Sequence, residues 1–364
     1  MTDSPTTAPA APAASAGEVL TGYLTRQAGA FLRALPQAVG EAGSRPGSLP
    51  ASAAGADDLL RAVRRIGGAL HTFGTAFDAG WAVEVRTELR WLLDLLATEP
   101  GYRRRSVRLL AALDSLADTD AAPGMLAGHA GAPKARALLE RQLTLARTRA
   151  HSALLQELRS ARLHALADRM TLLAGEVPLL AGSARRSPAA LRAEAAAAFA
   201  DLGTAVGRLP LDRTAQPYGG DGLRRLAPVP AEPGGPAGPP SDADAVLAAD
   251  DRPWHRAGVL LKRARYALEV TGASADGTGA PTGLDELDVI LARHHEAADA
   301  AAAAAAAART PRITPATAYV LGVVHADQRL EVEAARYAFG RRWPELPPAL
   351  AGPAVVPPPA PRTE

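Results

Sequence analysis

Between His255 and Glu269 the sequence sets a histidine, a lysine, three arginines and a tyrosine along one stretch of helical spacing. Advancing 100° per residue, Leu260, Leu261, Ala264, Ala267 and Leu268 fall on one face, which is expected to be buried. His255, Lys262, Arg265 and Tyr266 line the other, with Arg256 and Arg263 on its flanks. Offsets of 0, 3, 7 and 10 make a single stripe along a helix, here His255, Gly258, Lys262 and Arg265. A line of cations at helical rise suits a linear polyanion better than a compact substrate. Guanidinium forks bind phosphate oxygens bidentately, lysine adds a point charge, and histidine would add charge below about pH 6.5. The plain alternative is a solvated helix face.

A second segment is built the same way. From Asp57, the residues Leu59, Ala62, Val63, Ile66, Ala69, Leu70 and Phe73 fall on one side, while Arg61, Arg64 and His71 occupy the other with Arg65 at its margin. The run Arg64-Arg65-Ile66-Gly67-Gly68-Ala69-Leu70 corresponds to Lys262-Arg263-Ala264-Arg265-Tyr266-Ala267-Leu268, and a Leu-rich helix follows each. An internal duplication is the economical reading.

The scaffold that must position these helices is expected to be all-α. The 364 residues are 48% hydrophobic but only 4% aromatic, and Ala and Leu dominate, which suits helices better than strands. Helical periodicity is expected over about 18–39, 57–77, 80–99, 101–118, 132–180 with one break, 188–208, 253–271, 283–308 and 314–343. Residues 1–16 read as a disordered leader, 17–208 as a first helical half, 209–252 as a Pro/Gly-rich linker, 253–346 as a second half, and 347–364 as a disordered Pro-rich tail. The leader lacks the basic and apolar regions of a signal peptide, and the alanine run 300–308 is too short to span a bilayer, so a cytoplasmic protein is expected.

Net charge is only +2, so any anion site must come from local clustering. Lys134 and Lys262 are the only lysines, and the arginine-rich, lysine-poor balance is partly compositional. No cysteine is present, which excludes disulfides, a thiolate nucleophile and a Cys-type zinc site.

The spacing from His255 through Lys262-Arg263-Ala264-Arg265-Tyr266-Ala267-Leu268-Glu269 resembles the signature helix of the CHAD (conserved histidine α-helical) domain family. Leu287 to Glu296, reading LDVILARHHE, resembles that family's next helix, and Ala318 to Leu346 resembles its last. Glu88-Leu89-Arg90-Trp91-Leu92 and Leu138 to Leu155 are similar to first-half segments. The resemblance implies two pseudo-symmetric helical bundles packed around a basic cleft that holds inorganic polyphosphate. It assigns ligand binding to His255, Arg256, Lys262, Arg263, Arg265 and Tyr266, with Arg61, Arg64 and Arg65 from the first half. Departures from the pattern are Asp57 at the histidine position, Leu60 and Gly67 at basic positions, Gly258 for an arginine, Pro100-Gly101 for an Arg-Asp pair, and Glu296 for its second-half acid.

Other constellations carry less. His294-His295-Glu296 with Asp299 could chelate a divalent ion, but a polar helix face explains it equally, and no metal or cofactor is expected. Glu331-Val332-Glu333 opens like an E-x-E-x-K motif and then meets Ala335. His151 and His164 lack an evident carboxylate partner. Arg103-Arg104-Arg105 with Arg108 is the densest basic run, read either as a solvated helix start or as part of an anion surface. There is no phosphate-cradling glycine loop, nucleophile elbow or triad spacing, so a non-enzymatic binding protein is expected. Two other readings stay open: a scaffold that kept the fold without its polyanion, and nonspecific RNA or DNA binding, which the missing interleaved aromatics disfavour.

Overall fold

A computed structural model describes residues 15–42, 54–117, 124–211, 243–272 and 282–346, which form helices, turns and one isolated bridge between Phe77 and Leu179. The helices are α1 Ala16–Ala42, α2 Ala54–Thr72, α3 Ala79–Ala117, α4 Ala132–Glu157, α5 Ala161–Gly175, the single turn α6 Ala181–Ala184, α7 Pro188–Val206, α8 Ala243–Val270, α9 Thr282–Ala308 and α10 Pro315–Arg342. The all-α class is as the periodicity predicts. The tail, nearly all of the leader, most of the 209–252 linker and most of the Gly/Pro/Ser stretch before α2 lie outside the described residues.

Local chemistry sets several boundaries. At the start of α1, Ser15 and Glu18 form a reciprocal capping box, each side chain accepting from the other's backbone N–H. The expected break in 132–180 falls where Ser160 caps α5 by accepting from the Leu163 N–H at 3.2 Å. Thr314 caps α10 in the same way, and proline follows at its first position.

Two boundaries differ from the sequence expectation. The two helices expected over 80–99 and 101–118 are instead one, α3, which continues through Pro100 to Ala117. An interior proline costs roughly 3 kcal/mol. Burial at both ends offsets it: Val85, Leu89, Leu92 and Leu96 enter one hydrophobic cluster, and Leu109 and Leu113 enter another. The second difference is α8, which begins at Ala243 rather than near residue 253 and carries Pro253 inside. Its added turns bring Asp251 into a buried ion network, a tertiary gain invisible to periodicity.

The wheel for α2 holds in full: Leu59, Ala62, Val63, Ile66, Ala69, Leu70 and Phe73 are all buried, and so is Leu60. The hydrophobic clusters do not divide at the 209–252 segment. The first joins α1, α2, α5 and the start of α3, with Ala267 and Val270 reaching in from α8. The second unites the end of α7 with α8, α9 and Phe339. The third packs the far ends of α3 and α4 against α9 and α10. There, Ala300, Ala304 and Ala307 are fully buried and let the α9 backbone come close to its neighbours.

Helices α2 and α8 cross at Gly68, where an added Cβ would lie 2.9 Å from Tyr266 Cδ2. Only glycine fits under that ring. Gly67 has open space around it, and no packing contact explains it.

Candidate functional site

The stripe read from the sequence faces α9. His255 Nε2 meets His295 Nδ1 at 2.9 Å, Gly258 lies over Leu291, Lys262 pairs with Asp288 at 2.8 Å, and Arg265 reaches Asp285 and Asp288 at 2.9 and 3.0 Å. This is an antiparallel helix contact in register. Lys262 and Arg265 are therefore ion-paired side chains rather than open cations. Carboxylates on α9 already complement them, and any phosphate must compete with Asp285 and Asp288.

First-half residues fare similarly. Arg61 pairs with exposed Asp58 on its own helix, and Arg65 binds Glu269 of α8 at 2.9 Å. Tyr266 is buried against Gly68, with Arg265 5.5 Å from its ring centre. Arg64 is exposed and forms no ion pair among the described residues. It stands near Tyr266, whose pKa is raised, chiefly by burial.

The flanking pair behaves differently. Arg256 and Arg263, seven residues apart on α8, gather with Arg86 and Arg90 of α3. None of the four has a carboxylate partner among the described residues. Burial, then Arg86, Arg90 and Arg256, depress the Arg263 pKa below its ordinary value. His71, at the end of α2, joins them, and its pKa is lowered by burial and then by Arg263, Arg86 and Arg90. Asp201 on α7 is an acidic neighbour of His71. So the site selects Arg256, Arg263 and His71 from the sequence candidates and adds Arg86. Arg90 stood in a family-like segment without a role. A signal for both lay in their spacing: like charges at i and i+4 on one helix repel, and such a pair invites an anion.

Farther along α3, the basic run is tied across to the second half. Arg104 meets Glu296 at 3.2 Å, Arg105 meets Asp299 at 2.9 Å, and Arg108 reaches Glu331 and Gln328. A cavity of about 360 Å³ opens between α3 and α9, lined by these arginines, Tyr102, His295, Asp94, Glu296 and Asp299. Its charges balance, so it is no strong anion trap.

Beneath His255 lies a buried network. Asp251 accepts from Arg329 at 2.8 Å and from Arg336 at 2.7 Å. Arg336 also donates to Glu333 and, through Nε at 3.3 Å, to His294 Nε2. Burial first, then Arg336, pushes the His294 pKa down to about 3. His255 is lowered too, by burial and then His295. The charge expected on His255 below pH 6.5 therefore arrives at lower pH.

A pH dependence follows from His294. The unfolded histidine takes its proton near pH 6.5 and the folded one near 3, so the unfolded state binds more protons between these values. Stability should then fall as pH drops from about 6.5 toward 3. His294→Gln keeps an acceptor for Arg336 and is expected to flatten that decline, read as urea midpoints between about pH 7 and 4. Equal slopes in the two proteins would contradict it.

Among the described residues no group of three or more His, Asp or Glu side chains could hold a metal ion, and no helix is long and apolar enough to cross a membrane.

A model of the CHAD domain family matches residues 49–308. Of the solved structures, PptA from Streptomyces chartreusis is similar at 41% sequence identity, with a TM-score of 0.69 over 90% of this chain and 99% of that one. No curated protein sequence matches. The matched span holds both basic helices and the α3 and α9 segments between which their charges are distributed, and the chain belongs to the CHAD domain family.

Proposed function

We propose that this protein binds inorganic polyphosphate without turning it over, at the arginines that α3 and α8 carry on either side of α2. The observation that supports this is the gathering of Arg86, Arg90, Arg256 and Arg263 with no carboxylate partner among the described residues. Four guanidiniums crowded together repel one another, and the cost is relieved when an anion with several charges lies among them. Phosphate oxygens accept two parallel N–H bonds from each guanidinium, and successive phosphates on one chain serve successive arginines. Lys262, Arg265 and Arg65, each already paired, contribute to the field more than to direct contact. A place in the cytoplasm, at polyphosphate stores, belongs to the same proposal.

The scaffold reading draws on those same pairings: Asp285, Asp288 and Glu269 neutralise the motif from inside. One titration separates the readings. Labelled long-chain polyphosphate is bound at rising salt, with single-stranded RNA as competitor. Four phosphate contacts on a flexible strand imply that log affinity falls with log salt at a slope of about −3. Polyphosphate is expected to resist competition by RNA of equal charge, because no aromatic ladder offers base stacking. Equal competition would favour nucleic acid, and binding of neither polymer at low salt would leave the scaffold reading.

A further inference from the structure

Beside the stripe that pairs with α9, helix α8 carries a second row of cations. Arg252, Arg256 and Arg263 stand at offsets of 0, 4 and 11, within about 40° of one another around the helix. None of the three has a carboxylate partner among the described residues. The row is about 16 Å long, and it is finite. Past Arg263 the same side of the helix carries Ala267 and Val270, both in the core. Past Arg252 it carries Ala248 and Ala249, beside a cavity of about 270 Å³. The next cations there, Arg105 and Arg329, are already held by Asp299 and Asp251. At the Arg263 end, Arg86 and Arg90 of α3 stand close, and one turn farther along α3 comes the exposed carboxylate of Asp94.

Resting on the reading that polyphosphate is the ligand, we propose that its site is a closed track about six phosphates long, running from Arg86, Arg90 and Arg263 through Arg256 to Arg252. Neighbouring phosphorus atoms share one oxygen and lie about 3 Å apart, so about six of them span the row. Arg252 lies outside the residues that the family resemblance assigns, and here it holds the far end of the bound stretch. A longer chain leaves the surface at both ends, because Asp94 repels it on one side and no free cation continues the row on the other.

Cation density sets this surface apart from another exposed row. On α4, Lys134, Arg141 and Arg149 are exposed and also lack carboxylate partners among the described residues, but they stand about 10 and 12 Å apart along the axis. A chain laid there meets one cation for every three or four phosphates. On the α8 track five guanidiniums serve about six. Val259, 50% exposed, fills the gap between Arg256 and Arg263, and Leu145, 48% exposed, fills the gap between Arg141 and Arg149. These two positions are matched places at which to add one charge.

Calorimetry at low salt with linear polyphosphates of defined length tests the track. Affinity is expected to rise at least about tenfold from three phosphates to six, and beyond six only in proportion to the number of registers a longer chain offers. Arg252→Ala should weaken hexaphosphate binding at least about fivefold and leave triphosphate, which fits at the crowded Arg263 end, within about twofold. Val259→Arg should tighten hexaphosphate at least about fivefold, while Leu145→Arg, which adds the same charge to α4, should leave it within about twofold. All three side chains are exposed, so circular dichroism and melting should be unchanged. Triphosphate binding as tightly as hexaphosphate, affinity climbing steeply past six, or Leu145→Arg matching Val259→Arg would overturn the track and leave polyphosphate as the ligand. No binding at any length would remove the ligand reading and the track with it.

Discussion

Asp251→Ala is expected to cost about 3–5 kcal/mol of folding stability, because it leaves two buried guanidiniums without their shared counter-charge. Asp251 is 5% exposed, and it accepts from both Arg329 and Arg336. Glu333 offers Arg336 partial compensation; Arg329 has no second carboxylate among the described residues. The network joins the added turns of α8 to α9 and α10, so its loss should loosen the end of the helix that carries Arg256. Asp58→Ala is the matched control. Its pair with Arg61 is more than half exposed on both sides, and such pairs contribute about 0–1 kcal/mol. Urea unfolding of the two variants side by side checks the contrast. A loss below about 1 kcal/mol for Asp251→Ala, with an unchanged urea slope, would mean the buried charges relax to water.

Replacing Arg86, Arg90, Arg256 and Arg263 together with alanine is expected to lower polyphosphate affinity at least about a hundredfold, by removing several charge-assisted contacts worth roughly 1.5–3 kcal/mol each. Its salt slope should flatten by about three. By contrast, Lys262→Ala with Arg265→Ala should cost less than about tenfold, because Asp285 and Asp288 already hold those side chains away from direct phosphate contact. The resemblance to the family's signature helix ranks the two sets the other way round. Filter retention at low salt, with circular dichroism to show that each variant keeps its helices, decides between the rankings. A larger loss from the lysine and arginine pair would return the ligand to the α8–α9 seam.

Much of the architecture was legible in the chain. Helical spacing and an Ala/Leu-rich composition fixed the class, and the buried face of α2 came out residue by residue, since a 100° step is a local property of any α-helix. The caps that Ser160 and Thr314 form are equally local, although the sequence reading did not use them. The motif around His255 was enough to recognise the family. Helix continuation through Pro100 and the start of α8 at Ala243 were not legible, because both depend on burial against distant segments.

The candidate site shows where local reading stops. Types and spacing along α8 identify a cationic helix, and they would do so in any fold. Which of its cations remain available depends on what packs against each side. Asp285, Asp288 and His295 on α9 take up one row, Glu269 takes Arg65, and Arg86 and Arg90 leave the Arg256 and Arg263 row unneutralised. Charge is a property of a residue, but a free charge is a property of its neighbours. Those neighbours come from segments that only the folded chain brings within a few ångströms.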